Sequence, residues 1–240
     1  MSAAMEPDEY DKMHAVEERM WWYRGLHANL LGQLLRHRRA GDLLDAGCGT
    51  GGLLKKLGPG SVGLDYSAVA ARYAHGKSGR PVVVGSINDL PFTRGAFSAV
   101  VSADVLANRS VDERRALAEV HRCLAPSGIV ILNLPAYDWL ASEHDRRVHQ
   151  VRRYTRKRLA GLLETAGFRA IFTTYWNTIL FPLMVVRRLL FSGGSGGDVQ
   201  LLPGPVETLF RAAVLIESRV IARGLALPFG GSVLAVGVKD

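Results

Sequence analysis

A glycine-rich loop with a carboxylate at its entrance is the first part of this chain that could do chemistry. The segment DLLDAGCGTGG runs from Asp42 to Gly52 and follows a short apolar stretch. Gly47, Gly49 and Gly52 have the G-x-G-x-x-G spacing, in which bare backbone comes close to a nucleotide cofactor. Asp65 ends the next apolar segment, where a carboxylate can bond ribose hydroxyls. The spacing predicts a cofactor that contains a nucleoside.

Asp45 distinguishes among such cofactors. A carboxylate two residues before the first glycine would repel a pyrophosphate and attract a cation. S-adenosylmethionine carries an ammonium and a sulfonium and has no phosphate, so it suits this loop. A nicotinamide-dependent oxidoreductase remains an alternative, which Asp45 disfavours. A Walker phosphate loop is excluded because Leu53, not a Lys-Ser/Thr pair, follows Gly52.

The elements that must position this loop alternate between strand-like and helix-like patterns. Near-continuous apolar runs separated by helices predict a parallel sheet covered on both faces, in a doubly wound α/β architecture. Ligands in such sheets bind beyond the carboxyl ends of the strands. We predict strands at 42–46, 61–67, 81–86, 97–106, 128–135, 168–176 and 231–240. Helices are predicted at 51–57, at 67–76 and from Asp112 to a Pro-Ser-Gly stop at 126–128.

Composition bounds the class of protein. The 240 residues are 48% hydrophobic and carry a formal charge of +8, which permits an anionic partner without choosing one. Two isolated cysteines predict no metal site and a reduced, cytoplasmic protein. The acidic N-terminus does not resemble a secretory signal. No uncharged apolar run of about 18 residues occurs, which predicts no membrane-spanning helix.

A long segment separates the last two predicted strands. It contains two apolar, helix-like stretches, 177–191 and 206–230, joined through a Gly/Ser stretch at Ser192–Asp198 that has the composition of a flexible linker. Pro182 bars one regular helix through the first stretch. We expect this segment to cap the acceptor site and to touch a lipid-like substrate or a membrane surface. An ordinary lid and a homodimer interface are the alternatives.

Several motifs together resemble class I S-adenosylmethionine-dependent methyltransferases. They are DAGCGTGG, GLDYS, GSINDLPF, CLAPSGIVILNLP and LLETAGF. MWWYRGLH (20–27) and VHQVRRYT (148–155) resemble segments of a bacterial branch of that family. The resemblance implies a Rossmann-like fold with a mostly parallel seven-stranded sheet, an antiparallel last strand and a helical insertion before it. It implies one domain, with an N-terminal helical lid at 1–40, a core at 41–176 and 231–240, and a cap at 177–230.

The resemblance also implies S-adenosyl-L-methionine as cofactor and assigns roles by position. Asp45, Gly47 and Gly49 would line the methionine part, Asp65 would hold the ribose and Tyr66 would pack on the adenine. The full expected cofactor set is Tyr23, Arg24, Asp45, Gly47, Cys48, Gly49, Asp65, Tyr66, Ser86, Ile87 and Ala103. One departure concerns the acceptor side, because a Glu-His pair common in relatives is replaced by Ala107 and Asn108.

The chemistry of transfer requires few protein groups, because the sulfonium is already a strong electrophile. His149 is the candidate base for a protonated acceptor, since histidine titrates near neutral pH. Arg152 and Arg153 are expected to bind an anionic acceptor, with Tyr154 beside them. We expect methylation of a small-molecule, lipid-linked or glycosylated metabolite, with O-methylation favoured.

Two further alternatives remain open at this stage. A non-catalytic cofactor-binding protein of the same fold is motivated by the missing Glu-His pair. A nucleic-acid methyltransferase is motivated by charge alone, and we expect no nucleic-acid partner because an NPPY-like motif is missing from the sequence.

Overall fold

The structure is a computed structural model that describes residues 7–38, 40–190 and 201–240. In these residues, seven strands form one sheet in the order β3-β2-β1-β4-β5-β7-β6. The strands are β1 (Leu43–Ala46), β2 (Ser61–Asp65), β3 (Val82–Val84), β4 (Phe97–Ala103), β5 (Leu124–Pro135), β6 (Phe168–Trp176) and β7 (Ser232–Lys239). Neighbours among β1 to β5 are parallel, and β7 runs antiparallel to both β5 and β6. The predicted fold class is confirmed, including the antiparallel last strand.

Helices cover both faces of the sheet. They are α1 (Pro7–Val16), α2 (Trp21–His37), α3 (Leu54–Leu57), α4 (Ala68–Ser78), α5 (Glu113–Cys123), α6 (Glu143–Arg147), α7 (Arg156–Thr165), α8 (Phe181–Leu190) and α9 (Gly204–Ala222). Leu44 and Val100 contribute to a core with α5 and α7, and their neighbours Leu43 and Val101 to a second core with α2 and α3. This division follows from the alternation of side chains along a strand.

Local capping explains where several helices begin. The hydroxyls of Ser67 and Thr155 accept hydrogen bonds from the backbone N–H of Ala70 and Arg158, at the starts of α4 and α7. The Asp112 carboxylate accepts from two N–H groups at the start of α5. Each of these side chains satisfies donors that a helix N-terminus leaves unpaired.

The predicted C-terminus of α5, at the Pro-Ser-Gly residues 126–128, is too late in the sequence. The helix ends at Cys123, and β5 begins at Leu124. Phe97 pairs with Leu124 and Ala99 with Ile129, so the strand carries an irregularity that contains the Pro-Ser-Gly residues. Strand pairing with β4 therefore takes over earlier than the turn residues alone indicate.

The segment before the last strand forms two helices, α8 and α9. Pro182 lies in the first turn of α8, where its missing N–H leaves no intrahelical bond unmade. α9 packs along α2, and the Gln33 side chain donates to the carbonyl of Ile221 at 3.3 Å. The predicted linker at Ser192–Asp198 lies outside the described residues. Among the described helices, none is both long and apolar enough to cross a membrane.

Candidate active site

One cavity of about 630 Å³ lies beyond the carboxyl ends of the strands. Its first wall is formed by the loop after β1, the end of β2 and the ends of β3 and β4. Of the expected cofactor residues, those that line it are Tyr23, Asp45, Gly47, Cys48, Gly49, Asp65, Tyr66, Ser86, Ile87 and Ala103. Arg24 is not among the lining residues, although its neighbours Tyr23 and Trp22 are.

The loop after β1 needs its glycines for two reasons. Gly47 has a φ of +87°, and a Cβ there would lie 2.1 Å from Val105 Cγ2. Gly51 has a φ of +86°, and a Cβ there would meet the backbone of Ala74 at 2.6 Å. Side chains rarely adopt such backbone angles, and here they would also clash. The loop can therefore present bare backbone to the cavity.

Asp65 organises the loop through its two carboxylate oxygens. Oδ2 accepts a hydrogen bond from the Gly49 N–H, and Oδ1 accepts one from the Ser67 N–H, both at 2.9 Å. Burial raises the pKa of Asp65 to about 6, and these N–H donors oppose the rise. Each oxygen retains a further lone pair that could accept from a hydroxyl in the cavity.

Asp45 is buried and lines the cavity with an unmatched oxygen. Its Oδ2 has no hydrogen-bond partner among the described residues. Burial, followed by the charges of Glu17 and Asp65, raises the pKa of Asp45 to about 8. A buried acceptor without a donor is costly, and a cationic donor would relieve both the missing bond and the repulsion. The unmatched acceptor of Asp45 therefore fits the ammonium of an amino-acid-bearing cofactor.

Asp104 follows β4 and lines the cavity. Its φ of +62° is a conformation that non-glycine residues rarely adopt. Oδ1 accepts from Asn133 Nδ2 at 3.2 Å, and Asn133 Oδ1 accepts from Trp176 Nε1 at 2.6 Å. The indole thus orients the amide so that its NH₂ faces Asp104. Burial raises the pKa of Asp104 to about 7, against the lowering effect of Arg153.

A second wall of the cavity comes from the helices outside the sheet. It is mainly apolar and consists of Tyr10, Met13, Met20, Trp21, Trp22, Leu26, Leu30, Leu180, Leu183, Met184 and Phe210. These residues belong to α1, α2 and α9, the turn before α2, and the segment that starts α8. The cavity therefore extends from the polar loop after β1 to an apolar region under the inserted helices.

The residues expected to act on the acceptor are mostly placed elsewhere. His149 is not among the lining residues, although Val148 and Gln150 are. Arg152 donates to the carbonyls of Leu106, Asn108 and Val111. The Tyr154 hydroxyl lies 3.0 Å from the Leu106 carbonyl and 2.6 Å from Glu113 Oε1. Arg152 and Tyr154 therefore stabilise the loop after β4, and the structure does not bring them to the cavity.

Arg153 does reach the cavity, but its charge is already matched. It is buried and forms a bidentate pair with Asp145, with N–O distances between 2.7 and 3.0 Å. A third N–H donates to the Ala136 carbonyl at 2.8 Å. Arginine was expected to bind an anionic acceptor, and the structure instead pairs it with an internal carboxylate.

Glu17 is a residue of this region that sequence reasoning missed. It is buried beside the loop after β1 and accepts from Thr50 Oγ1 at 2.6 Å, the Gly52 N–H at 3.0 Å and Lys77 Nζ at 2.6 Å. These partners lie 33 to 60 positions away along the chain. No local spacing motif signals such a contact.

Comparisons with known proteins find similarity to methyltransferases. Residues 44–132 match the family model described as a methyltransferase domain. A mouse protein named probable tRNA methyltransferase 9B is 34% identical over 119 residues, which are 48% of this chain and 26% of that protein. The chain spans about half or less of the length of the first curated relatives it matches.

Solved structures show the same fold. One is a Thermotoga maritima S-adenosylmethionine-dependent methyltransferase, described as a possible histamine N-methyltransferase. It has a TM-score of 0.62 at 18% identity and covers 97% of this chain and 95% of its own. Another is the geranyl diphosphate C-methyltransferase of Streptomyces coelicolor A3(2), solved with S-adenosyl-L-homocysteine. It has a TM-score of 0.59 at 18% identity, and the match covers 88% of this chain and 79% of that enzyme's chain.

Proposed function

We propose that this chain is a class I S-adenosylmethionine-dependent methyltransferase, as the match of residues 44–132 to a methyltransferase domain indicates, and that it transfers a methyl group to an acceptor held in the same cavity as the cofactor. The cofactor of this family is S-adenosyl-L-methionine. The observation that carries the proposal is the unmatched Asp45 oxygen beside the loop after β1, in a cavity that continues past the cofactor residues.

The lining residues have distinct roles in this proposal. Asp45 receives the ammonium of the methionine part, directly or through water, and Gly47, Cys48 and Gly49 pass close to it. Asp65 accepts from the ribose hydroxyls. Tyr66, half exposed at the rim, packs on the adenine. Ser86, Ile87, Ala103 and Tyr23 complete the walls.

Asp104 replaces His149 as the proposed base. When bound, the cofactor supplies a methyl group activated on a sulfonium. Asp104 lines the cavity, and its pKa of about 7 suits proton exchange near neutral pH. It would take the proton that an acceptor hydroxyl releases, which supports O-methylation.

Binding of S-adenosylhomocysteine by calorimetry tests this function. Wild-type protein should bind it and should not bind nicotinamide dinucleotide. Asp65→Asn should weaken binding by roughly 10- to 100-fold, because a hydrogen bond to a charged group contributes about 1.5–3 kcal/mol. Unchanged affinity in the variant, or tight binding of the dinucleotide, would overturn the assignment. Binding without any methyl transfer would support the non-catalytic alternative.

RNA is a second candidate acceptor, favoured by two observations. A curated relative is named as a probable tRNA methyltransferase, and the chain carries a net charge of +8. Transfer of a tritiated methyl group to total tRNA, compared with a lipid extract and a polar metabolite extract, separates the candidates. Label in the tRNA fraction alone would favour RNA over the small or lipid-like acceptor.

A further inference from the structure

We propose that the acceptor has an apolar chain and an uncharged hydroxyl-bearing head, and that the chain lies in an apolar chamber under the inserted helices. This inference rests on the function proposed above and specifies its acceptor. We define the apolar chamber by six residues that line the cavity. They are Trp21, Trp22, Leu180, Leu183, Met184 and Phe210.

The aromatic side of the apolar chamber is fixed by packing and by a partly buried contact between two helices. Trp21 and Phe210 meet edge to face, with ring centroids 5.4 Å apart. Trp22 packs on Trp176 at 5.9 Å. Glu207 of α9 accepts a hydrogen bond from the Trp21 N–H, at the N-terminus of α2. These contacts hold α9 against α2 and keep the aromatic wall in place.

The opposite side of the apolar chamber is held by a second glutamate of α9. Glu217 is buried and accepts from the Thr178 N–H at 2.9 Å and the Ile179 N–H at 2.6 Å. It thereby fixes the chain just before α8, which carries Leu183 and Met184. The two walls thus depend on α9, which anchors the starts of both neighbouring helices.

The apolar chamber opens to solvent along α8. Leu183 lines the cavity and is nevertheless 53% exposed. Val186 of α8 and Ile179 of the preceding turn are also about half exposed, and the spacing of three residues places Leu183 and Val186 on one side of α8. An apolar chain entering here would leave water along a continuous apolar path.

Charge selects the head group at the inner end. Arg153 is the only Lys or Arg among the described lining residues, and Asp145 neutralises it. Carboxylates from Glu9, Glu17, Asp45, Asp65 and Asp104 also line the cavity. Glu9 and Glu17 are paired with Lys12 and Lys77, so a phosphate or carboxylate head would find no unpaired Lys or Arg among the described lining residues, although the whole chain is basic. A hydroxyl head could donate to Asp104 without a charge penalty.

The cavity volume lies within the range of small-molecule sites. Pockets that bury a drug-sized ligand span roughly 300–1,000 Å³, and this cavity has about 630 Å³. The polar part is occupied by the cofactor in the proposed function. The remaining part of the lining is mainly apolar, which suits an apolar chain better than a nucleotide.

A series of 4-alkylphenols with ethyl to octyl chains tests the proposal by calorimetry on protein saturated with S-adenosylhomocysteine. Affinity should rise about threefold per methylene while the chain fills the apolar chamber, then level off, because each buried methylene gains about 0.8 kcal/mol at most. The 4-alkylbenzoate anion of matched chain length, which carries a carboxylate in place of the hydroxyl, should bind at least tenfold more weakly than the phenol.

Two leucine variants locate the binding. Leu183→Gln should weaken 4-octylphenol binding by about three- to tenfold. Leu209→Gln changes a leucine of α9 that is 66% exposed and does not line the cavity, and it should leave the affinity unchanged. Affinity independent of chain length, or equal weakening in both variants, would overturn the proposal.

The same samples report on the proposed function separately. Titration with S-adenosylhomocysteine should give the same affinity in wild type and in both leucine variants. Failure of that titration in the wild type would contradict the proposed function itself. Normal cofactor binding with no chain-length dependence would contradict only the acceptor class.

Discussion

The carboxylates of the cavity differ in what surrounds them, and this sets their roles. Asp65 is satisfied by two backbone N–H groups, whereas Asp45 has an unmatched oxygen. Burial raises both pKa values, to about 6 for Asp65 and about 8 for Asp45. Asp45 accepts fewer hydrogen bonds than Asp65, so its ionisation depends more strongly on a bound ligand.

Cofactor affinity should depend on pH through Asp45. Without ligand, this carboxyl is largely protonated below about pH 8, whereas the ammonium of a bound cofactor favours its ionised form. Binding therefore releases a proton, and affinity for S-adenosylhomocysteine should rise between pH 6.5 and 8, by up to about tenfold per pH unit. Calorimetry in buffers of different ionisation enthalpy measures both quantities.

Asp45→Asn provides the control for this linkage. The variant should bind more weakly at pH 8 and should lose most of the pH dependence and the proton release. The raised pKa also means that wild-type stability without ligand falls as pH rises toward about 8. The variant should consequently unfold at a higher temperature than the wild type at pH 8. An unchanged pH profile in the variant would show that another group is responsible.

Asp104 and His149 give opposite expectations for catalysis. With any acceptor that the wild type methylates, Asp104→Asn should lower kcat by about 10²–10⁴-fold if this carboxyl takes the proton. His149→Asn should change kcat little, and asparagine tolerates the positive φ of +56° at that position. Steady-state kinetics with tritiated cofactor measures both, and the reverse ranking would restore His149 as the base.

At the scale of elements, the contact between α2 and α9 determines where the inserted helices lie. Gly25 and Gly32 of α2 face α9, and a Cβ at Gly32 would lie 3.3 Å from Ala222 Cβ. Seven residues separate the two glycines, which places them on one side of the helix. Small residues let the helices approach closely enough for the Gln33 side chain to reach a carbonyl of α9.

Gly25→Ala should therefore destabilise the protein. The added Cβ would lie 2.9 Å from Val214 Cβ and 3.0 Å from the Trp176 ring, and overpacking of this kind costs about 1–3 kcal/mol. Gly76→Ala in α4 is the matched control, because its Cβ would meet nothing within 4 Å. That control should be neutral or gain up to about 1 kcal/mol. Urea unfolding compares the two, and equal stabilities would contradict the close approach.

Across the whole molecule, the N-terminal segment is tied to the cofactor loop by Glu17. This buried carboxylate joins the turn after α1 to Thr50, Gly52 and Lys77. Tyr10 and Met13 of α1 line the cavity above the loop after β1. The proposed lid is thus continuous with the contacts that stabilise the loop.

Glu17→Gln should lower the free energy of unfolding by about 3–5 kcal/mol, because it leaves the buried Lys77 ammonium without its carboxylate. The neighbouring Glu18→Gln removes an exposed pair with Lys55 and should cost about 0–1 kcal/mol. Urea unfolding of both variants measures the difference. Similar losses in the two would show that burial of the Glu17 pair is not decisive.

The sequence by itself determined the sheet and the cofactor loop. These features depend on residues that are close together in the sequence, so their spacing predicts their geometry. They are the apolar strands, Gly47 and Gly49, and Asp65 at the end of the next strand. Every expected cofactor residue except Arg24 lines the cavity, while their binding roles stay predictions.

Only the tertiary structure decided the acceptor side. Arg153 pairs with Asp145, Arg152 braces carbonyls 41 to 46 residues away, and Glu207 meets Trp21 across 186 residues. A charged side chain shows its chemical type in the sequence but not its partner, because the partner depends on which surfaces meet after folding. Arg153 is therefore neutralised inside the protein and Arg152 is bonded to backbone carbonyls, while two glutamates within an apolar helix anchor the wall of the apolar chamber.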